Sequence, residues 1–294
     1  MTTAELKNQI QNGAADETFI MLYGKEHVEK ARTRYVSAIC SFEEIYGARE
    51  DAMILSVPGR SEITGNHTDH NHGRVIAASV DCDVIAVASK GKSDKIRIKS
   101  EGYKEDVADP LHLEMENYPR FKSVGLVAGM CAAFKNAGHN IAPIDAYTTS
   151  NVLKGSGLSS SAAFEVMTGT ILNHVCNGGK VDAVTIAKYA KWAENVYFGK
   201  PCGLMDQMAC AVGGFVMIDF ADPDSPKIEK IDFDLRSMGY DLCIVNTGGN
   251  HADLNDDYAS MPEEMRAVAE ALGKPLLRYV NYSDFIDEAN RARL

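Results

Sequence analysis

Lys154-Gly155-Ser156-Gly157-Leu158-Ser159-Ser160-Ser161-Ala162-Ala163 is the stretch of this chain best equipped to hold an anion. Its two glycines let backbone N–H groups converge, and its three serines lead into an apolar run that reads as a helix start. Unpaired N–H donors and the positive end of the helix dipole favour negative charge there. The serine hydroxyls can donate to phosphate or ligate Mg²⁺. A flexible Gly/Ser loop with a serine helix cap would look the same locally. No Lys-Ser or Lys-Thr follows the second glycine, and residue 160 is serine rather than glycine, so neither the P-loop nor the dinucleotide fingerprint applies.

A second segment, residues 58–73 (PGRSEITGNHTDHNHG), follows a predicted strand and is dense in groups that hydrogen-bond hydroxyls. Arg60, Asn66, His67 and Asp69 could line a site for a polyol. The proximity of His67, His70 and His72 also suggests a transition-metal site, although the segment lacks the rigid i, i+4 helical pair that such sites favour. An ordinary surface loop built on Asx turns is a further possibility. A third segment, residues 201–207 (PCGLMDQ), sets Asp206 beside a Pro-Cys-Gly bend, and Glu194 stands just upstream in AENVYFGK. Taken singly, either carboxylate reads as a helix cap or a surface charge. They gain meaning only as a set.

The elements that would carry these residues follow from periodicity. Val28, Ala31, Tyr35, Ala38, Ile39 and Phe42 recur at helical spacing and predict an amphipathic helix over 24–47, ending at Gly47. Strands are predicted at 51–57, 75–89, 95–99, 145–152, 215–220 and 240–246. Helices are predicted at 121–136, 159–176, 182–197 and 262–272, with a polar loop at 247–257. No internal repeat or low-complexity linker interrupts the chain. Strands first and helices later, in mixed order, suggest α+β rather than a doubly wound parallel sheet.

Composition narrows the function class. The 294 residues are 45% hydrophobic and 24% charged, ordinary for a globular protein, with a formal net charge of -11. No block of Lys and Arg is present to neutralise nucleic-acid phosphates. An acidic protein can still bind a nucleotide through local N–H groups and a cation. The seven cysteines are scattered singly, without a C-x-x-C pair, and read as reduced, mostly buried thiols. The N-terminal residues lack a signal-peptide pattern and no apolar run reaches bilayer length, so no membrane association is expected and the cytoplasm is the default location.

Taken together and in order, these segments resemble the galactokinase branch of the GHMP kinase superfamily, which also includes homoserine, mevalonate and phosphomevalonate kinases. The first galactokinase signature resembles Gly59, Arg60, Gly65, His67, Thr68, Asp69, Asn71 and Gly73, and the second resembles Gly155 through Ala162. AENVYFGKPCGLMDQ and NTGGNHADLNDDY resemble further family segments, so the likeness runs over roughly residues 50 to 270.

The resemblance implies transfer of the γ-phosphoryl group of ATP to a hexose hydroxyl, galactose above all, in an α+β, two-domain GHMP-kinase fold. An N-terminal domain like ribosomal S5 domain 2 would span 1–235. The start of a ferredoxin-like C-terminal domain would span 236–294, and the active site would lie between the domains. Asp206 matches the catalytic aspartate and Arg60 the active-site arginine. Ser161 and Glu194 match the Mg²⁺ ligands. Lys154, Gly155, Ser156, Gly157, Leu158, Ser159, Ser160 and Ser161 would surround ATP, and Asn66, His67, Asp69, Gly203 and Tyr258 would meet the sugar. Two departures accompany the match. Asn66 stands where the signature usually has glutamate, which opens the choice of hexose, an N-acetylated or otherwise modified sugar included. The third, glycine-rich family motif is absent from these 294 residues, which implies an incomplete second domain. Non-catalytic regulators that bind both sugar and ATP, and kinases of non-sugar alcohols, share parts of the pattern.

Overall fold

Two long strands, β1 (Met53–Thr64) and β2 (Arg74–Lys90), form the antiparallel spine of a seven-stranded sheet in the computed structural model, which describes residues 1–152, 155, 157–245 and 255–292. The other strands are β3 (Ile96–Ser100), β4 (Asp106–Ala108), β5 (Ile144–Ser150), β6 (Phe215–Asp219) and β7 (Lys227–Ile231). Their order is β4-β3-β5-β2-β6-β7, with β1 along the other edge of β2. The length of β2 lets it serve two partners on one edge: Val84–Lys90 pairs with β5 and Arg74–Ala78 with β6. Only β3 and β5 run parallel. The mainly antiparallel sheet agrees with the predicted α+β class.

Both faces of the central strands are covered, which explains why 84–89 is buried throughout. Val84, Ala86 and Ala88 face one apolar cluster, while Ile85 and Val87 face another. Three helices supply the second layer: α1 (Thr3–Gln11), α2 (Asp16–Tyr23) and α3 (Val28–Tyr46). The stripe Ala31, Tyr35, Ala38, Ile39, Phe42 and Tyr46 of α3 is buried. Each fully buried large side chain such as Phe42 or Ile39 stabilises the fold by roughly 1.5–3 kcal/mol. The first layer comes from α4 (Ser123–Asn136), α5 (Ser160–Asn177) and α6 (Ala183–Ala193). A short helix, α7 (Met205–Val212), packs Met205, Met208 and Ala209 on Val75 and Ala77 of β2 and on Val216 and Ile218 of β6. The last helices are α8 (Asn255–Ala271) and α9 (Tyr282–Ala292).

Several expectations need correction. The helix predicted from residue 24 begins at Val28, because Gly24 has φ +88° and a 3₁₀ turn occupies Lys25–His27. β1 continues to Thr64, through two register shifts that a strand over 51–57 would not need. The strand predicted at 240–246 is not formed over 240–245, the described part, where Leu242, Ile244 and Val245 are exposed. The loop at 247–257 falls mostly outside the described residues. All seven cysteines are free, yet only Cys131 and Cys210 are buried, with Cys40 and Cys243 exposed. No helix among the described residues is long and apolar enough to cross a membrane.

Candidate active site

Arg60 and Asp206 lie 146 residues apart in sequence and meet across two elements. Between Pro58 and Arg60 the β1–β2 register shifts, and such an irregularity re-aims the following side chain. Gly59 permits it, since a Cβ there would stand 2.8 Å from the Leu158 carbonyl oxygen. Arg60 N donates to that carbonyl at 3.2 Å, tying the strand to the glycine-serine turn. The guanidinium donates to Asp206 Oδ1 from Nε at 2.9 Å and Nη2 at 2.6 Å, and to the Gly157 carbonyl from Nη1 at 2.6 Å. Its side chain is 7% exposed and that of Asp206 32%, so the pair is sealed on the arginine side and open on the aspartate side.

Ser159 holds the other carboxylate oxygen. It occupies the N-cap position of α5, but its hydroxyl donates to Asp206 Oδ2 at 2.5 Å and makes no capping bond. Ser159 has φ +59°, which costs energy for a residue with a side chain. The first-turn N–H groups of α5 are thereby left without the usual serine cap, the condition that suits an anion.

Asp206 itself stands in the first turn of α7, and the loop from the second segment fixes that helix. Asp69 Oδ2 accepts from Leu204 N at 3.0 Å and Met205 N at 3.3 Å. A Cβ at Gly203 would overlap the Asp69 carboxylate, so glycine is required for the close approach. Asp69 is buried, which alone would raise its pKa, yet the nearby His70 and His67 side chains and the Met205 amide hold it below the usual range. Asn66 and His67 both adopt left-handed backbone, with φ +52° and +51°. Glu62 secures the turn by accepting from His67 N at 3.0 Å. A cleft of about 410 Å³ opens beside Asp69, Gly203, His70, His72 and Cys202.

Glu194 opens a π-helical turn, Glu194–Phe198, at the end of α6, and is almost fully buried. The Gln207 amide donates to Glu194 Oε2 at 2.8 Å and to Glu165 Oε2 at 3.2 Å. Two buried carboxylates therefore converge on one amide. Burial and the neighbouring Glu194 charge push the Glu165 carboxyl well up, and burial also raises Glu194. Glu165 Oε1 has no hydrogen-bond partner among the described residues. Ser161, exposed on the first turn of α5, precedes Glu165 by four residues and shares its helix face. A hydroxyl such as that of Ser161 and a carboxylate such as that of Glu194 are hard-oxygen donors of the kind Mg²⁺ takes, with one or two carboxylates and several waters kept.

The three histidines do not converge. His67 Nε2 lies 3.5 Å from Arg60 Nη2, His70 Nδ1 is 3.8 Å from Asp69, and His72 Nδ1 is buried without a partner among the described residues. No cluster of three metal-ligating side chains is present among the described residues. Lys154 and Ser156 lie outside the described residues, as does the side chain of Tyr258. Sequence reasoning missed Glu165, Gln207 and Glu62. A lone glutamate inside the apolar run AAFEVM was the available signal for Glu165.

Residues 125–214 match the GHMP kinases N terminal domain, and residues 41–90 match the galactokinase galactose-binding signature. A galactokinase of Streptomyces coelicolor is 32% identical over 250 residues, 83% of this chain and 62% of its own length. One from Thermotoga petrophila is 32% identical over 233 residues, 79% of this chain and 63% of its own. The chain thus spans just over three fifths of the length of these relatives. Among solved structures, the Lactococcus lactis galactokinase complexed with galactose superposes with a TM-score of 0.70 at 23% identity, covering 87% of this chain and 67% of that one. The Methanococcus jannaschii mevalonate kinase gives 0.55 at 16% identity, covering 81% and 76%. Sheet, helices and matched domain are those of a GHMP kinase. Within that superfamily the chain is similar to galactokinases, through the signature around Arg60 and Asp69 and the curated relatives.

Proposed function

We propose that the protein is a sugar 1-kinase that uses ATP and Mg²⁺ to phosphorylate the anomeric hydroxyl of a hexose, with galactose as the principal substrate. The observation that carries this is the Asp206 carboxylate, held through Oδ1 by Arg60 and through Oδ2 by Ser159, with its remaining face open. The sugar C1 oxygen attacks the γ-phosphorus of ATP, the bond to the β-phosphate oxygen breaks, and the hydroxyl proton passes to Asp206. Arg60 keeps the aspartate oriented and offsets negative charge on the transferring group. The N–H groups at the start of α5 and the turn from Gly155 receive phosphate oxygens. Ser161 and Glu194 would hold Mg²⁺, which would supply charge neutralisation at the β- and γ-phosphates, and the Gln207 amide keeps Glu194 in place. Asn66, His67, Asp69, Gly203 and Tyr258 form the hexose side, and the sugar and ATP are the proposed partners.

The division at residue 235 belongs to the same proposal, supported by all seven strands ending by Ile231, as does a cytoplasmic location. ADP release measured over a panel of hexoses is the test, and turnover of none of them would remove the proposal. Asp206→Ala should abolish turnover while leaving ATP binding, followed by calorimetry, within about twofold, because its contacts run to Arg60 and Ser159 rather than to the phosphate-facing amides.

Asn66 supports a second reading of the substrate. An amide donates as well as accepts, unlike the glutamate usual at that position. N-acetylated or amino hexoses therefore belong in the panel. Binding of sugar and ATP with no ADP formed would instead point to a regulator.

A further inference from the structure

The segment from Gly65 to Gly73 is costly to hold. Asn66, His67 and His72 all have positive φ without being glycine. Internal bonds account for part of its order: Thr68 Oγ1 donates to the Gly65 carbonyl at 2.8 Å, Gly73 N to the Thr68 carbonyl at 2.7 Å, and His72 N to the Asp69 carbonyl at 3.3 Å. The C-terminal end is fastened from outside. Arg278 Nη1 donates to the His72 carbonyl at 2.5 Å across 206 residues of sequence. The same guanidinium grips Asp219, from Nη1 at 2.7 Å and Nη2 at 3.2 Å.

Asp219 ends β6 and lies opposite Arg74 in the sheet, and its carboxylate also accepts from Arg74 Nε at 2.7 Å. The neighbouring Phe220 N donates to the Gly73 carbonyl at 2.9 Å. Arg278 thus bolts the end of the loop to the end of the sheet, and it is only 19% exposed. It lies beyond α8, in the 3₁₀ turn Leu277–Tyr279, and outside both matched family segments. A cavity of about 450 Å³ lies between this turn, Met265, Thr68 and Asn71.

We infer that Arg278 is a positioning residue for the hexose site, fixing the loop that carries His67 and Asp69 through the His72 carbonyl. The inference rests on the assignment of that loop to the sugar. A loop that samples its competent form less often raises the apparent dissociation constant by the inverse of that fraction, while the complex once formed is unchanged. Loss of Arg278 should therefore appear in the hexose KM and not in kcat or in nucleotide affinity.

The test uses the full chain with Arg278→Ala and Arg278→Lys. For the alanine variant the hexose KM should rise about tenfold, the factor corresponding to ~1.4 kcal/mol and the low end for a hydrogen bond with a charged partner. Changes in kcat and in ATP affinity should stay within about twofold. The lysine variant should recover part of the loss, because one ammonium can reach the His72 carbonyl or Asp219 but lacks the fork that serves both. It also carries the test if the alanine variant does not fold. Hydrogen exchange gives a readout independent of turnover: the amides of His67, His72 and Gly73 should lose protection, while those of α5 keep theirs. An unchanged KM, or KM and ATP affinity moving together, overturns the inference. If the wild type turns over no sugar, the functional assignment fails separately, and unchanged protection at 67–73 then overturns the role of Arg278.

Discussion

Arg60 and Asp206 should be thermodynamically coupled, and the structure bounds by how much. The perturbation is a double-mutant cycle of Arg60→Met and Asp206→Asn. Two charge-assisted hydrogen bonds, at 2.9 and 2.6 Å, converge on one carboxylate oxygen. Were both groups buried, stranding one partner would cost about 3–5 kcal/mol, and were both exposed, about 0.2–1 kcal/mol. Arg60 is sealed at 7% exposure while Asp206 is 32% exposed, so the coupling should fall between, at about 1.5–3 kcal/mol. Arg60→Met alone should cost more than the coupling, because it also abandons the Gly157 carbonyl, a further loss of about 1 kcal/mol. Asp206→Asn should cost less, because the amide can keep a bond with Ser159. Urea unfolding of the four proteins at one ionic strength measures the cycle. A coupling below about 0.5 kcal/mol would refute the claim that this pair is a built, partly desolvated unit rather than a surface ion pair.

Gly203→Ala should strike the joint between loop and helix: its Cβ overlaps the Asp69 carboxylate, so Asp69 must release Leu204 N and Met205 N. Destabilisation of about 1–3 kcal/mol by urea unfolding is expected, together with weakened binding of the proposed hexose by calorimetry; unchanged hexose affinity would count against the packing argument. Glu165→Gln should alter how stability depends on pH. Burial and then the Glu194 charge raise the folded-state pKa of Glu165 above its unfolded value. Its folded form therefore binds more protons, and stability is fully present below the ordinary glutamate range and is lost as pH rises through the raised value. The variant should flatten that decline above the ordinary glutamate range, and urea midpoints with the same pH slope as wild type would contradict it.

How much of this was legible depended on whether an element declares itself locally. The stripe of α3 and the apolar runs of α5 and β2 did, because burial imposes periodicity or continuous hydrophobicity. The helix α1 is polar, burying only Thr3 and Ile10, and β7 is an edge strand with no buried residue, so neither carried a strong pattern. At 240–245 the opposite happened: β-rich composition drew a strand that finds no partner among the described residues, and strands need one. The site divides in the same way. Arg60, Asp69 and Asp206 could be matched to motifs, but nothing in the glycine-serine turn, read as an ATP site or as a helix cap, tied the Ser159 hydroxyl to Asp206. Arg278 had no local signature, since its role exists only through a carbonyl 206 residues away.

The two ends of the sugar-side loop should also respond differently to damage, which bears on how the site works. At its inner end, Asp69 grips the start of the helix whose first turn carries Asp206, so the position of the proposed sugar loop and that of the proposed base are mechanically one. At its outer end, the His72 carbonyl is held by Arg278, which touches neither α7 nor Asp206 in any observed bond. Loosening the outer end lowers the fraction of molecules ready to bind and leaves the bound geometry intact. Breaking the inner end shifts the base itself, and small misplacements of a reacting group are costly in rate. Gly203→Ala should consequently lower kcat as well as raise the hexose KM, whereas Arg278→Ala moves KM alone. If both variants showed the same split, the loop would not be acting as a lever with one end on α7 and the other on the sheet.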